Sequence, residues 1–180
     1  MVIPYNNTSS SVSSDPSNLN STPKIRFRYL YGTFNSDSQE ATSSTSTIIW
    51  DRLGIGQSVF KFKTSISGDT YDLKNTSIDL SYTFGDTFGD EYTFTLGSSA
   101  VYSGKLTITS SESEIFNSSN VEGSGYFTVL GFEYGIFEIL LGYQYIRYAF
   151  IELESESSST NWGSVRNSRG LFVTGIGLAF

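Results

Sequence analysis

Gly170-Leu171-Phe172-Val173-Thr174-Gly175-Ile176-Gly177-Leu178-Ala179-Phe180 decides the fold. Phe172, Thr174, Ile176, Leu178 and Phe180 share one side of an extended chain, because successive side chains of a strand point to opposite faces. The same period of two runs back along the chain. It is present in Ile25-Arg26-Phe27-Arg28-Tyr29, in Phe60-Lys61-Phe62-Lys63, and in Ile78-Asp79-Leu80-Ser81-Tyr82-Thr83-Phe84. It continues in Tyr92-Thr93-Phe94-Thr95-Leu96, from Tyr126 to Tyr134 and from Phe137 to Tyr145. No window carries a helical period. The alternation predicts strands near residues 24–35, 47–56, 58–66, 75–85, 91–109, 123–134, 137–153 and 168–180.

The breaks between these strands alternate in length. Long polar breaks are expected at Ser36–Ser46, Ser67–Lys74, Ser110–Gly125 and Glu154–Ser168, and short ones at Gly56–Ser58, Gly85–Asp90 and Gly135–Ile136. The apolar parity changes between Ile55 and Phe60, which on this reading needs a turn or a bulge. All three prolines lie in residues 1–23, a Ser/Asn-rich tail expected to be disordered. The body, residues 24–180, has no proline, as a sheet requires when every N–H must pair.

Composition narrows the chemistry. The 180 residues suit one domain and include 12 Tyr, 14 Phe and 2 Trp, against a charged fraction of only 16%. With no Cys and no His there is no disulfide scaffold, thiolate metal site, Ser-His-Asp triad or His-ligated zinc. The net charge of −7 argues against nucleic acid as a partner. No catalytic residue, metal ligand or cofactor is assigned. Carboxylates at Glu112/Glu114, Asp69/Asp72 and Asp86/Asp90/Glu91 match no EF-hand spacing and read as solvated. The most apolar stretch, Phe127 to Leu141, is interrupted by Glu133, Glu138 and glycines, whereas a spanning helix needs about 20 apolar residues in a row. Met1-Val2-Ile3-Pro4 lacks a basic region and an apolar core, so no secretory signal is visible.

Two all-β architectures fit: an antiparallel up-and-down barrel of about eight strands in an outer membrane, or a soluble cup of lipocalin type. Three features favour the membrane. The apolar face is aromatic near the strand ends (Tyr29, Tyr31, Tyr82, Tyr92, Tyr102, Tyr126, Tyr134, Tyr143, Tyr145), as interfacial girdles require. The other face is Gly, Ser, Thr and charge, a poor dry core. The breaks alternate long and short. The last strand resembles the C-terminal signal by which bacterial outer-membrane barrels are recognised for insertion: Gly175, Leu178 and Phe180 match it, while Val173 stands where a polar residue is usual. The body as a whole resembles the small eight-stranded outer-membrane barrels, such as the OmpA transmembrane domain and the OmpX and OmpW families, with no motif selecting one of them. The resemblance implies a bacterial outer-membrane location with extracellular loops. It also implies outer-membrane lipid and the barrel insertion machinery as partners.

If the aromatic face looks outward, parity places Arg26, Arg28, Arg52, Lys61, Lys63, Lys105, Arg169, Asp79, Glu91, Glu133 and Glu138 in the lumen. A paired charge network is expected there, since an eight-stranded barrel is only just wide enough for its own side chains; the alternative is a narrow anion-preferring path. Ile115, Phe116 and Trp162 are apolar points in polar loops and are candidate contacts for a surface ligand or partner protein. The barrel enzymes resembling this architecture depend on a histidine, so catalysis is not expected. A non-enzymatic surface-binding, anchoring or envelope role leads. A narrow channel for ions or small apolar molecules, and a soluble or filament-forming β subunit, are the alternatives.

Overall fold

The computed structural model describes residues 24–84, 91–155 and 161–180, with side chains from residue 163 in the last segment. It contains nine strands: β1 Ile25–Ser36, β2 Gln39–Trp50, β3 Leu53–Ile66, β4 Asp69–Phe84, β5 Tyr92–Thr109, β6 Ile115–Ser118, β7 Asn120–Tyr134, β8 Phe137–Ser155 and β9 Asn161–Ala179. All pairings are antiparallel. Each long strand pairs with the next in sequence, and β1 pairs with β9 to close the sheet. The short β6 lies between the outer ends of β5 and β8 and runs through Ser119 into β7, so the ring has eight strands. The tail and the expected turn at Gly85–Asp90 lie outside the described residues.

Among the described residues both ends of the barrel carry tight turns, which corrects the long loops expected at Ser36–Ser46, Ser67–Lys74 and Ser110–Gly125; residues 156–160 of the fourth, Glu154–Ser168, lie outside the described residues. At the end shared by Lys24 and Phe180, here the base, the turns are Asp51-Arg52 and Gly135-Ile136. At the far end they are Asp37-Ser38, Ser67-Gly68 and Ser110–Glu114. Ser67 (φ 54°) and Gly68 (φ 92°) are both left-handed, the backbone of a primed hairpin turn whose twist matches its strands. Outside those turns, the described polar residues expected as loops are almost all strand, at 39–46, 69–74, 115–118, 120–125 and 161–168. β2 escapes an apolar pattern because Ser43, Thr45 and Thr47 occupy the middle three of its five inward positions, between Ala41 and Ile49. No turn exists at Gly56–Ser58: β3 runs in unbroken register with β2 from Leu53↔Trp50 to Thr64↔Gln39.

The parity change between Ile55 and Phe60 has a different cause. The barrel exchanges its apolar face partway along. Near the base the outward side chains are apolar: Phe27, Tyr29 and Tyr31 on β1, Ile48 and Trp50 on β2, Leu53 and Ile55 on β3, and Ile78, Leu80 and Tyr82 on β4. Toward the far end the outward positions become Lys61, Lys63, Lys74, Lys105, Glu122 and Arg147, all exposed. There the inward positions Phe60, Phe62, Leu73, Leu106, Ile146, Tyr148 and Phe150 form a buried apolar core. The base half therefore has the sidedness of a protein in lipid, and the far half that of a protein in water. The lengths agree. The 19 residues of β8 reach about 48 Å along the barrel axis at ~3.3 Å per residue and a tilt of about 40°. An apolar band of about 25 Å covers half of that.

Two local irregularities shape the wall. The register of β4 and β5 slips between Thr76↔Ser103 and Ser77↔Val101, leaving Tyr102 as a bulged residue. The bulge flips the parity of everything beyond it. The seam is the second. β1 and β9 pair from Arg26↔Ala179 to Tyr31↔Thr174, with Ile25 and Phe180 exchanging two backbone hydrogen bonds below them, whereas β8 and β9 pair from Phe137↔Leu178 to Glu154↔Asn161. Above the seam a slot of about 230 Å³ opens in the wall, lined by Phe34, Ala41, Phe62, Tyr145, Arg169 and Leu171.

Candidate functional site

The lumen is filled in three layers. The base layer is ionic. Adjacent inward positions of β1 place Arg26 and Arg28 opposite Glu133 and Glu138, which β7 and β8 bring into register beside their turn. Arg28 makes a two-pronged pair with Glu138, Nε to Oε2 at 2.8 Å and Nη2 to Oε1 at 2.7 Å. Nη1 and Nη2 also donate to the hydroxyls of Thr95 (2.7 Å) and Thr93 (2.8 Å) respectively. Arg26 donates to Glu133 Oε1 from Nη2 at 2.9 Å and Nε at 3.1 Å, lies 3.3 Å from Glu138, and donates Nη1 to the Asp51 carbonyl. Lys24 adds a second cation on Glu133. Charges this deeply buried persist only when paired and hydrogen-bonded on every side, and the planar guanidinium fork supplies both.

The middle layer is neutral but for Asp79. Thr45 and Ser58 share a hydrogen bond of 2.7 Å, Ser58 donates to Asp79, and Gln144 joins Ser43 to Ser58. The amide of Asn75 and the hydroxyl of Ser77 are buried here without a partner among the described residues. The outer layer is the apolar core already described. In it the Tyr148 hydroxyl is buried and also has no partner among the described residues, and burial pushes its pKa up against the pull of the Arg169 charge. The Arg169 guanidinium lies 4.7 Å from the centre of the Phe62 ring, a cation–π contact.

The residues singled out from the sequence divide accordingly. Arg26, Arg28, Glu133, Glu138, Asp79 and Arg169 point inward, three cations with three carboxylates. Lys61, Lys63 and Lys105 do not: they are exposed on the outer surface. Lys61 and Lys63 face outward because Phe60 and Phe62 are the inward pair of β3, and Lys105 because the Tyr102 bulge reverses β5. Arg52 and Glu91 are exposed residues of the base turns; Arg52 donates to the Tyr82 hydroxyl at 3.4 Å, and the Glu91 carbonyl accepts from the Glu133 N–H. Of the seven basic residues that parity placed in the lumen, Arg26, Arg28 and Arg169 point inward. Phe116 packs against the barrel's own apolar core rather than standing free, and Ile115 beside it is half-buried. The Trp162 backbone pairs with Leu153, and its side chain lies outside the described residues. On β9, Leu178 and Phe180 are exposed on the outer face, and Gly175 backs closely onto the Tyr29 carbonyl.

Sequence reasoning missed Thr93, Thr95 and Gln144 as network members. The strict Tyr92–Leu96 alternation pointed the two threonines inward, and only the arginines' unspent donors would have assigned them a role. It also missed the Phe60/Phe62 plug. Among the described residues no group of three or more acidic side chains could hold a metal ion.

No family model matches the chain, and no curated protein matches it by sequence. Solved structures do. The crystal structure of Neisserial surface protein A superposes with a TM-score of 0.54 at 13% identity, covering 88% of this chain and 97% of that one. A major outer membrane protein from Thermus thermophilus gives 0.50 at 10% identity, covering 87% and 99%. At such identities the likeness is one of fold, and the chain has the fold of the eight-stranded outer-membrane β-barrels.

Proposed function

We propose that this chain is a non-enzymatic outer-membrane barrel that holds a rigid, strand-built collar on the outer side of the membrane and works through what that collar touches. The observation that carries the reading is the exchange of apolar faces along the wall. A soluble cup would have no use for a contiguous band of exposed Phe, Tyr, Ile and Leu, since soluble monomers rarely expose more than a few hundred Å² of contiguous apolar surface. A barrel immersed along its whole length would not present Lys61, Lys63, Lys74 and Arg147 outward. The base half sits in lipid, inserted by the barrel assembly machinery through the Gly175–Phe180 strand, and the collar stands in water.

The same layering makes the barrel a plug rather than a pore. An ionic layer in which every nitrogen of Arg26 and Arg28 donates a hydrogen bond, with an apolar layer above it, leaves no continuous wet path. Reconstitution in a planar lipid bilayer tests this. Vesicle flotation proves insertion, and the inserted protein is expected to leave the bilayer electrically silent. Discrete conductance steps would replace the anchor reading with the channel reading, and a protein that stays soluble without detergent would overturn both.

A further inference from the structure

We infer that the outer wall of β3–β5 carries a fixed binding place for one lipid whose headgroup bears two phosphates. This rests on the membrane-barrel reading and adds a ligand to it. Lys61, Lys74 and Lys105 are direct lateral partners on three adjacent strands, and all three are exposed. Neighbouring strands lie ~4.8 Å apart, so three positive charges fall within about 10 Å. Like charges directly opposite one another destabilise a sheet. No carboxylate forms an ion pair with any of the three among the described residues. The next row outward, by contrast, is Lys63, Asp72 and Thr107, where the charge is balanced in register. No carboxylate stands in the row itself, although Glu152 and Glu154 share a surface hollow with Lys105, and the row calls for an anion from outside.

Its height says which anion. From Lys74 down β4 to Phe84 is ten residues, about 33 Å of strand, or about 25 Å along the axis at a tilt of about 40°. That is the full height of a barrel's apolar band. The lysines therefore stand at the outer rim of the band, where headgroup phosphates lie. Two rows below them Gln57 donates to the hydroxyl of the bulged Tyr102 across Ile78. Beneath that bridge an apolar groove of about 970 Å³ runs over the small residues of β2, lined by Ile48, Ile55, Ile78, Tyr29 and Ile176. A cationic row above a groove able to seat acyl chains matches a phosphorylated lipid and not free phosphate. Three cations in a line match two phosphates better than one.

Native mass spectrometry of the purified chain in non-ionic detergent, titrated with diphosphoryl lipid A, tests the site, with phosphatidylglycerol and inorganic pyrophosphate as separate arms. One lipid A per chain is expected, bound at least tenfold more tightly than phosphatidylglycerol, with pyrophosphate failing to compete. The triple variant Lys61→Gln/Lys74→Gln/Lys105→Gln is expected to lose that preference, Lys63→Gln to keep it, and Ser46→Trp, which fills the groove, to weaken lipid A binding. Unchanged binding by the triple variant, or pyrophosphate competing as well as the lipid, overturns the inference. A gel with and without boiling reports barrel closure independently, so a closed barrel without lipid preference sinks this site and leaves the membrane reading standing.

Discussion

Arg28 shows how much one lumen residue can carry. Its guanidinium meets a carboxylate and two hydroxyls in a space sealed from water, so Arg28→Ala leaves Glu138 charged, buried and short of its main partner. Breaking a buried pair on one side costs about 3–5 kcal/mol. The temperature at which the folded gel band disappears is expected to fall sharply in Arg28→Ala, while Arg28→Met/Glu138→Leu recovers most of the loss because no orphan charge remains. A double variant as unstable as the single would contradict the network. Tyr148 predicts the opposite sign. Its hydroxyl is buried without a partner among the described residues, so Tyr148→Phe removes a desolvation penalty and is expected to leave urea unfolding in detergent unchanged or shifted upward by about 1 kcal/mol. Gly97 is constrained by shape: a β-carbon there would overlap the ring of Phe127, which is buried across the lumen-facing surface, so Gly97→Val is expected to destabilise strongly.

At the scale of the strand, β3 makes the face exchange testable. The chain has no cysteine, so single cysteines can be placed on a clean background. In protein reconstituted in vesicles, cysteine at Leu53 or Ile55 is expected to resist a water-soluble maleimide because lipid covers it, cysteine at Lys61 or Lys63 to react quickly, and cysteine at Phe60 or Phe62 to stay unreactive inside the wall. Reaction at Phe60 with silence at Lys61 would reverse the assignment. The period of two was legible from the sequence nearly everywhere, and with it the fold. Its phase was not. Phe60-Lys61-Phe62-Lys63 reads the same with either residue inside, and only the medium outside decides. Arg26, Arg28, Glu133 and Glu138 were legible because they lie where the outer face is aromatic without ambiguity. Lys105 was not, since a one-residue bulge at Tyr102 leaves no mark in the hydropathy. Strands of Ser and Thr, such as most of β2, looked like loops because hydroxyls pair across a lumen as readily as they meet solvent.

For the molecule as a whole, the two blocking layers are independent, so opening one alone is expected to leave the bilayer silent: Arg28→Ala/Glu138→Ala removes charge but not Phe60, Phe62 and Phe150. Conductance from that variant would show that the apolar layer does not seal. The seam has a consequence of another kind. Its six rungs join the first strand to the last, so no part of them can form until both ends of the chain have arrived. The closure links Tyr31 to Thr174, a separation that makes it slow to find, and its ladder is shorter than that of any other pair of neighbouring long strands. The barrel is therefore less a hoop than a zip with a short final run of teeth. Breathing will start at its upper end, where Gly32 and Val173 already lie beyond the last tooth, and amide exchange there should outpace every other wall of the ring.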